Sequence, residues 1–132
     1  MFPRAGRLLR HADFERVYKQ GRRHFSASLT VFYWPRPRSD ARQFAGLRVG
    51  LAVGRAMGGA VHRNRMKRRL REVVRLTRRW SGPAADVVIN PKKVVLTADF
   101  NMLLNEVHQA FVVIEKKLGG KQDAEKGSVR QP

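Results

Sequence analysis

Leu47-Arg48-Val49-Gly50-Leu51-Ala52-Val53 is followed by Gly54-Arg55-Ala56-Met57-Gly58-Gly59 and then by Ala60-Val61-His62-Arg63-Asn64-Arg65-Met66-Lys67-Arg68-Arg69-Leu70-Arg71-Glu72. The first piece sets large apolar residues at every second position (Leu47, Val49, Leu51, Val53). That alternation predicts a strand over 47–53 with one buried face and Arg48 on the other. The second piece carries three glycines and breaks regular structure. In the third the period changes: Met66, Leu70, Val73, Val74 and Thr77 share one arc at about 100° per residue, which predicts a helix over 60–79. A strand, a glycine turn and a long amphipathic helix in succession need a sheet on which that helix can bury its arc.

The flanking sequence supplies the rest of that sheet. Leu29-Thr30-Val31-Phe32-Tyr33-Trp34 is β-branched and aromatic and predicts a strand; Pro35 to Asp40 then reads as a loop. Asp86-Val87-Val88-Ile89-Asn90 predicts a third strand whose pairing the pattern leaves open. Phe14, Val17 and Tyr18 at i, i+3 and i+4, stopped by Gly21, predict a short helix over 11–20. Leu103, Val107, Ala110, Phe111, Ile114 and Leu118 define a last helix over 99–118. The order αββαβα is that of an α+β fold with helices on a small mixed sheet, and it leaves room for a further short strand. Residues 1–118 are expected to form one domain. Residues 119–132, polar apart from Val129, are expected to form a disordered tail.

The 132 residues carry 28 Lys plus Arg against 10 Asp plus Glu, a net charge of +18. Nearly all of the excess falls before residue 80. Such a surplus repels itself without a polyanion, which points to nucleic acid. There is no cysteine, so disulfides and thiolate zinc sites are excluded, and a cytoplasmic setting is the expectation. No apolar run reaches the roughly 20 residues that a membrane span needs.

Between Arg55 and Arg79 the only acid is Glu72. On a helix, residues 63, 67, 71, 75 and 78 form a cationic ridge about 22 Å long at ~1.5 Å rise per residue. Arginine forks suit phosphate rows, and ordinary solvated helices interleave more acids at i, i+4. Phe14 and Tyr18 share one helix face, and Thr30 and Phe32 one strand face. Flanked by basic residues, such rings can stack unpaired bases, although spacing alone favours core packing. The histidines and acids form no metal-ligand spacing, no paired carboxylates and no nucleophile motif. The chain therefore reads as a binder of RNA without chemistry of its own.

Leu47 to Val53 together with Gly58-x-Ala60-Val61-x-Arg63-Asn64-Arg65-x-Lys67-Arg68-x-x-Arg71-Glu72 resembles the bacterial ribonuclease P protein family, whose hallmark is an Arg-Asn-Arg helix after a Gly-x-Ala-Val turn. Asp13-Phe14-x-x-Val17-Tyr18-x-x-Gly21-x-Arg23 is similar to that family's first helix, and Asp86 to Ile89 to its later strand. The resemblance covers residues 7–118. It implies a ribosomal-protein-like domain with a left-handed βαβ crossover, and a catalytic RNA partner that holds the active site and its Mg²⁺. It implies RNA contacts at Arg55, Arg63, Asn64, Arg65, Lys67, Arg68 and Arg71. It also implies a cleft for the 5′ leader of precursor tRNA lined by Phe14, Tyr18 and Phe32, with no small-molecule substrate and no membrane. Two places depart from the family pattern: Arg55-Ala56 stands where two lysines are usual, and Asn90-Pro91-Lys92-Lys93 where an arginine often follows the strand. A structural RNA binder such as a ribosomal protein shares the same physics, but the Arg-Asn-Arg block favours the first reading.

Overall fold

The computed structural model describes residues 10–36, 46–77 and 83–127, with side chains to residue 118. In chain order the elements are α1 (His11–Gln20), β1 (Arg22–Phe25), β2 (Leu29–Pro35), β3 (Leu47–Leu51), a 3-10 turn (Arg55–Met57), α2 (Ala60–Thr77), β4 (Ala85–Pro91), a second 3-10 turn (Lys93–Leu96) and α3 (Phe100–Gly127). The fold is α+β, and the strand beyond the αββαβα order is β1. Of the loop expected over Pro35–Asp40, Pro35 is the last residue of β2; residues 37–40 and the end of the helix expected at 78–79 lie outside the described residues.

The four strands run in the order β1-β2-β4-β3. β4 pairs antiparallel with β2 and parallel with β3, so α2 is the crossover of a βαβ unit and the sheet is mixed. β4 takes a central place because Val87, Val88 and Ile89 are apolar on both faces, and all three are fully buried.

The inner face of the sheet carries Leu29, Val31, Tyr33, Val49, Val87 and Ile89. It meets Met66, Leu70, Val73 and Val74 of α2 and Leu103, Val107, Ala110, Phe111 and Ile114 of α3. The helical arcs read from the sequence are the buried arcs. The outer face is covered by α1, whose Val17 packs on Val88 beside Phe14, Phe32, Trp34 and Ala52. Gly21 lets α1 end directly on β2: a Cβ there would fall under 3.0 Å from the backbone oxygens of Val17 and Tyr33.

Among the described residues two boundaries differ from expectation by more than one residue. β3 ends at Leu51 rather than at 53, although Ala52 still donates its N–H to the Ile89 carbonyl at 2.9 Å. α3 continues to Gly127 rather than stopping at 118, because Lys121 to Lys126 are tolerated in a helix and no proline intervenes. Residues 128–132 of the expected tail lie outside the described residues.

Candidate nucleic-acid interface

α2 spends one arc on the core and leaves the opposite arc to solvent. Asn64, Arg65, Arg68 and Arg71 are exposed, Lys67 is half-buried, and none of the five side chains bonds to another described residue. Arg55 is exposed in the 3-10 turn just before the helix. Arg63 is half-buried and donates from Nε to the Gly58 carbonyl at 3.2 Å, which ties the first helical turn to the glycine turn. Gly58 has φ of 124°, a conformation that suits glycine and no residue with a Cβ. The structure thus brings Arg55 and the cations of 63–71 onto one continuous stretch of helix and preceding turn.

The cationic ridge is shorter than the spacing suggests. Arg75 is engaged by Glu72 through two hydrogen bonds of 3.1 and 2.6 Å. That contact holds the Glu72 carboxyl below and the Arg75 guanidinium above their ordinary pKa values. Arg78 lies outside the described residues. Arg69, on the other flank, donates to the carbonyls of Val95 and Ala98 and fastens α2 to the second 3-10 turn. Arg69 and Arg75 are engaged within the fold; Arg65, Lys67, Arg68 and Arg71 bond to no other described residue.

The second surface lies between α1 and the outer face of the sheet. Tyr18, 39% exposed, meets Phe32 edge to face with ring centroids 4.9 Å apart. Its hydroxyl donates to Asn90 Oδ1 at 3.0 Å, so one residue of the departure at 90–93 fixes a ring of this surface. Phe14 and Phe32 are half-buried beside Val17 and Val88. The three aromatics singled out in the sequence are therefore neighbours that remain partly open.

Charges that sequence reasoning did not single out hold α1 over this surface. Asp86, fully buried on β4, accepts from Arg48 Nε at 2.8 Å and from a terminal nitrogen of Arg48 at 2.9 Å, with Arg36 Nε at 3.5 Å. Arg48 reaches on to Asp13 of α1 at 3.7 Å, and Arg16 meets Asp13 at 3.2 Å. Glu106 of α3 grips the β1–β2 turn, accepting from the Ser26 hydroxyl at 2.7 Å, the Ser28 N–H at 2.8 Å and the Ser28 hydroxyl at 2.7 Å. Burial pushes the Glu106 pKa up, but the hydrogen bonds from Ser26 and Ser28, with the nearby Lys92 charge, outweigh it and leave the pKa lowered. These partners are far apart in sequence, and no local spacing announces them.

Asp13, Glu72, Asp86 and Glu106 are thus all engaged by arginines or serines. Among the described residues no three His, Asp or Glu side chains come together as metal donors, and no helix is long and apolar enough to cross a membrane. The surface can bind phosphates through unpaired guanidinium and ammonium groups and can offer rings to unpaired bases.

A family model described as Ribonuclease P matches residues 2–115. A ribonuclease P protein component from Desulfovibrio desulfuricans is 41% identical over 93 residues, covering 70% of this chain and 68% of its own. One from a Cyanothece species is 32% identical over 120 residues, covering 83% of this chain and 92% of its own. In three dimensions the chain is similar to the RNase P protein of Thermotoga maritima, with a TM-score of 0.66 at 24% identity over 80% of this chain and 96% of that one. That last likeness is one of fold.

Proposed function

The chain belongs to the ribonuclease P protein family, so it serves as the protein part of a tRNA-maturing ribonucleoprotein endonuclease, and we propose that α2 holds the catalytic RNA while the surface under α1 receives the 5′ leader of precursor tRNA. The observation that carries this reading is the set of cations on α2 and its preceding turn whose side chains bond to no other described residue: Arg55, Arg65, Lys67, Arg68 and Arg71. Arg63 and Asn64 stand beside them at the N-terminal end of the helix. Phe14, Tyr18 and Phe32 supply ring surface for leader bases.

In this reading the cut is made by the RNA and its Mg²⁺, and the protein contributes affinity and position. The engagement of every acid named above in an ion pair or a hydrogen-bond cluster supports that division of labour. The absence of cysteine supports a cytoplasmic setting.

The test is reconstitution. Adding this protein to a bacterial ribonuclease P RNA should lower the Mg²⁺ concentration needed to cleave precursor tRNA at its 5′ site. An unchanged Mg²⁺ requirement, or specific cleavage by the pure protein without RNA, would overturn the reading. The leader surface has its own arm. Phe14→Ala and Tyr18→Ala should weaken binding of leadered precursor, by about 1–3 kcal/mol per lost stack, at near-normal melting temperature. Equal losses with leaderless tRNA would return both rings to the core.

A further inference from the structure

The aromatic surface does not stop at Phe32. β1 is an edge strand, and its register places Arg23 opposite Phe32 and Phe25 opposite Thr30. Residues directly opposite each other point to the same side of a sheet, so Arg23 and Phe25 stand on the outer face in line with Phe32 and Tyr18. Phe25 is 65% exposed. The Arg23 guanidinium lies between two rings, 5.8 Å from the Phe25 centroid and 6.0 Å from that of Phe32.

A single exposed ring is ordinary on a protein surface. Here the ring adjoins a permanent cation that also touches the aromatic surface assigned to the leader. The platform is also braced from behind. The β1–β2 turn is closed by the Ser26 N–H on the Leu29 carbonyl at 2.9 Å and gripped by Glu106.

We propose that Arg23 and Phe25 form a further nucleotide subsite at the edge of the sheet, taking a leader nucleotide beyond those held at Tyr18 and Phe32. Phe25 offers its ring to the base, and Arg23 takes the phosphate that joins this nucleotide to its neighbour. The proposal rests on the leader reading and extends it. RNA fits the edge better than a protein strand does. β1 carries Arg22 and Arg23 and no acid, and it continues a surface already suited to bases. A peptide adding to the edge would pair with backbone groups and have no use for the guanidinium between two rings.

Precursor tRNAs whose leaders are lengthened one nucleotide at a time, bound to the holoenzyme, test this. Affinity should rise stepwise and then level off. Phe25→Ala should remove the last step, about fivefold or more in Kd, and keep the earlier ones; Arg23→Ala should do the same, and Phe25→Tyr should restore the step. If Phe25→Ala keeps the whole series while Phe14→Ala loses its early steps, the edge subsite is refuted and the leader reading stands. If neither variant changes the dependence on leader length, the leader reading fails and takes the subsite with it. A Phe25→Ala loss that is equal with leaderless tRNA, or that is accompanied by a lower melting temperature, assigns the ring elsewhere and overturns the proposal. So does an unchanged series accompanied by loss of a protein–protein association in sedimentation.

Discussion

Val31, Val49, Val87 and Ile89 on the inner face of the sheet are at most 2% exposed beneath α2 and α3, whereas Phe32 and Trp34 on the outer face are half-buried beneath α1, a helix of ten residues. The inner face is closed by apolar side chains from two long helices. The outer face is pinned by Asp13, Arg48, Asp86 and Arg36, and its rings remain partly open. A core gains stability from complete coverage; a surface that must accept bases needs incomplete coverage. Charges hold α1 in place with little buried area, and this is how the outer face can be ordered and open at once.

The sharpest way to break this contrast is to remove one ring from each face. Phe111→Ala on the inner side should cost about 3–5 kcal/mol of stability in a denaturant titration. Phe32→Ala should cost clearly less, because its ring is already partly solvated, and should show instead in the affinity for leadered precursor. Equal stability losses would mean that the two faces are one core.

Next in size is the pinning itself. Asp86→Asn keeps the shape of the side chain but removes the buried charge that Arg48 grips twice and Arg36 approaches. A loss of about 3 kcal/mol is expected, since removing one charge of a buried ion pair is strongly destabilising. Hydrogen exchange should rise in α1 more than in α2 or α3. Uniform exchange would show that α1 is held by Val17 and not by charge.

α2 sets two neighbouring arginines against each other. Arg68→Ala should leave stability within about 0.5 kcal/mol and flatten the dependence of log K on log salt for RNA binding by up to about 1. Arg69→Ala should do the opposite: it frees the carbonyls of Val95 and Ala98 at a cost of about 1 kcal/mol and leaves the salt slope alone. The two residues are adjacent in sequence and would exchange behaviours only if the helix were rotated on the sheet.

That α2 and the rings of the outer face are legible in the sequence and the charges that pin this face are not has a physical cause. The apolar period of 66–74 and the run of cations are local patterns, and each fixes where its residues go. Asp13, Arg48 and Asp86 meet across more than seventy residues, and Glu106 meets Ser26 and Ser28 across a similar span, so no spacing rule connects them. β1 escaped because Arg22-Arg23-His24-Phe25 is an exposed edge strand with no apolar alternation; pairing with β2 creates it. The pairing of β4 was open because a strand buried on both faces shows no period. The helical spacing overstates the ridge for a reason visible in the sequence: Glu72 stands three residues before Arg75, close enough on a helix to pair with it.

Glu106 belongs to both faces and provides the smallest and most specific test. It projects from α3 on the inner side and grips the turn that carries β1 with Arg23 and Phe25. Its pKa is lowered in the folded protein by the serine hydrogen bonds and Lys92, against the opposing effect of burial. In the unfolded chain it titrates near the ordinary glutamate value of about 4.3. Its contribution to stability is therefore fully present above about pH 4.3 and is lost as pH falls through the lower folded-state value. The carboxylate is partly solvated, so the effect should be about 1 kcal/mol. Glu106→Gln should lower stability by that amount at neutral pH and remove this part of the acid dependence, so that the stability curves of the two proteins converge as pH falls. In the same variant, exchange of the β1 amides should increase while that of α3 stays unchanged. Curves that stay parallel down to acid pH would show that the carboxylate charge does not hold the turn, and with it the rigid backing of the sheet edge would be lost.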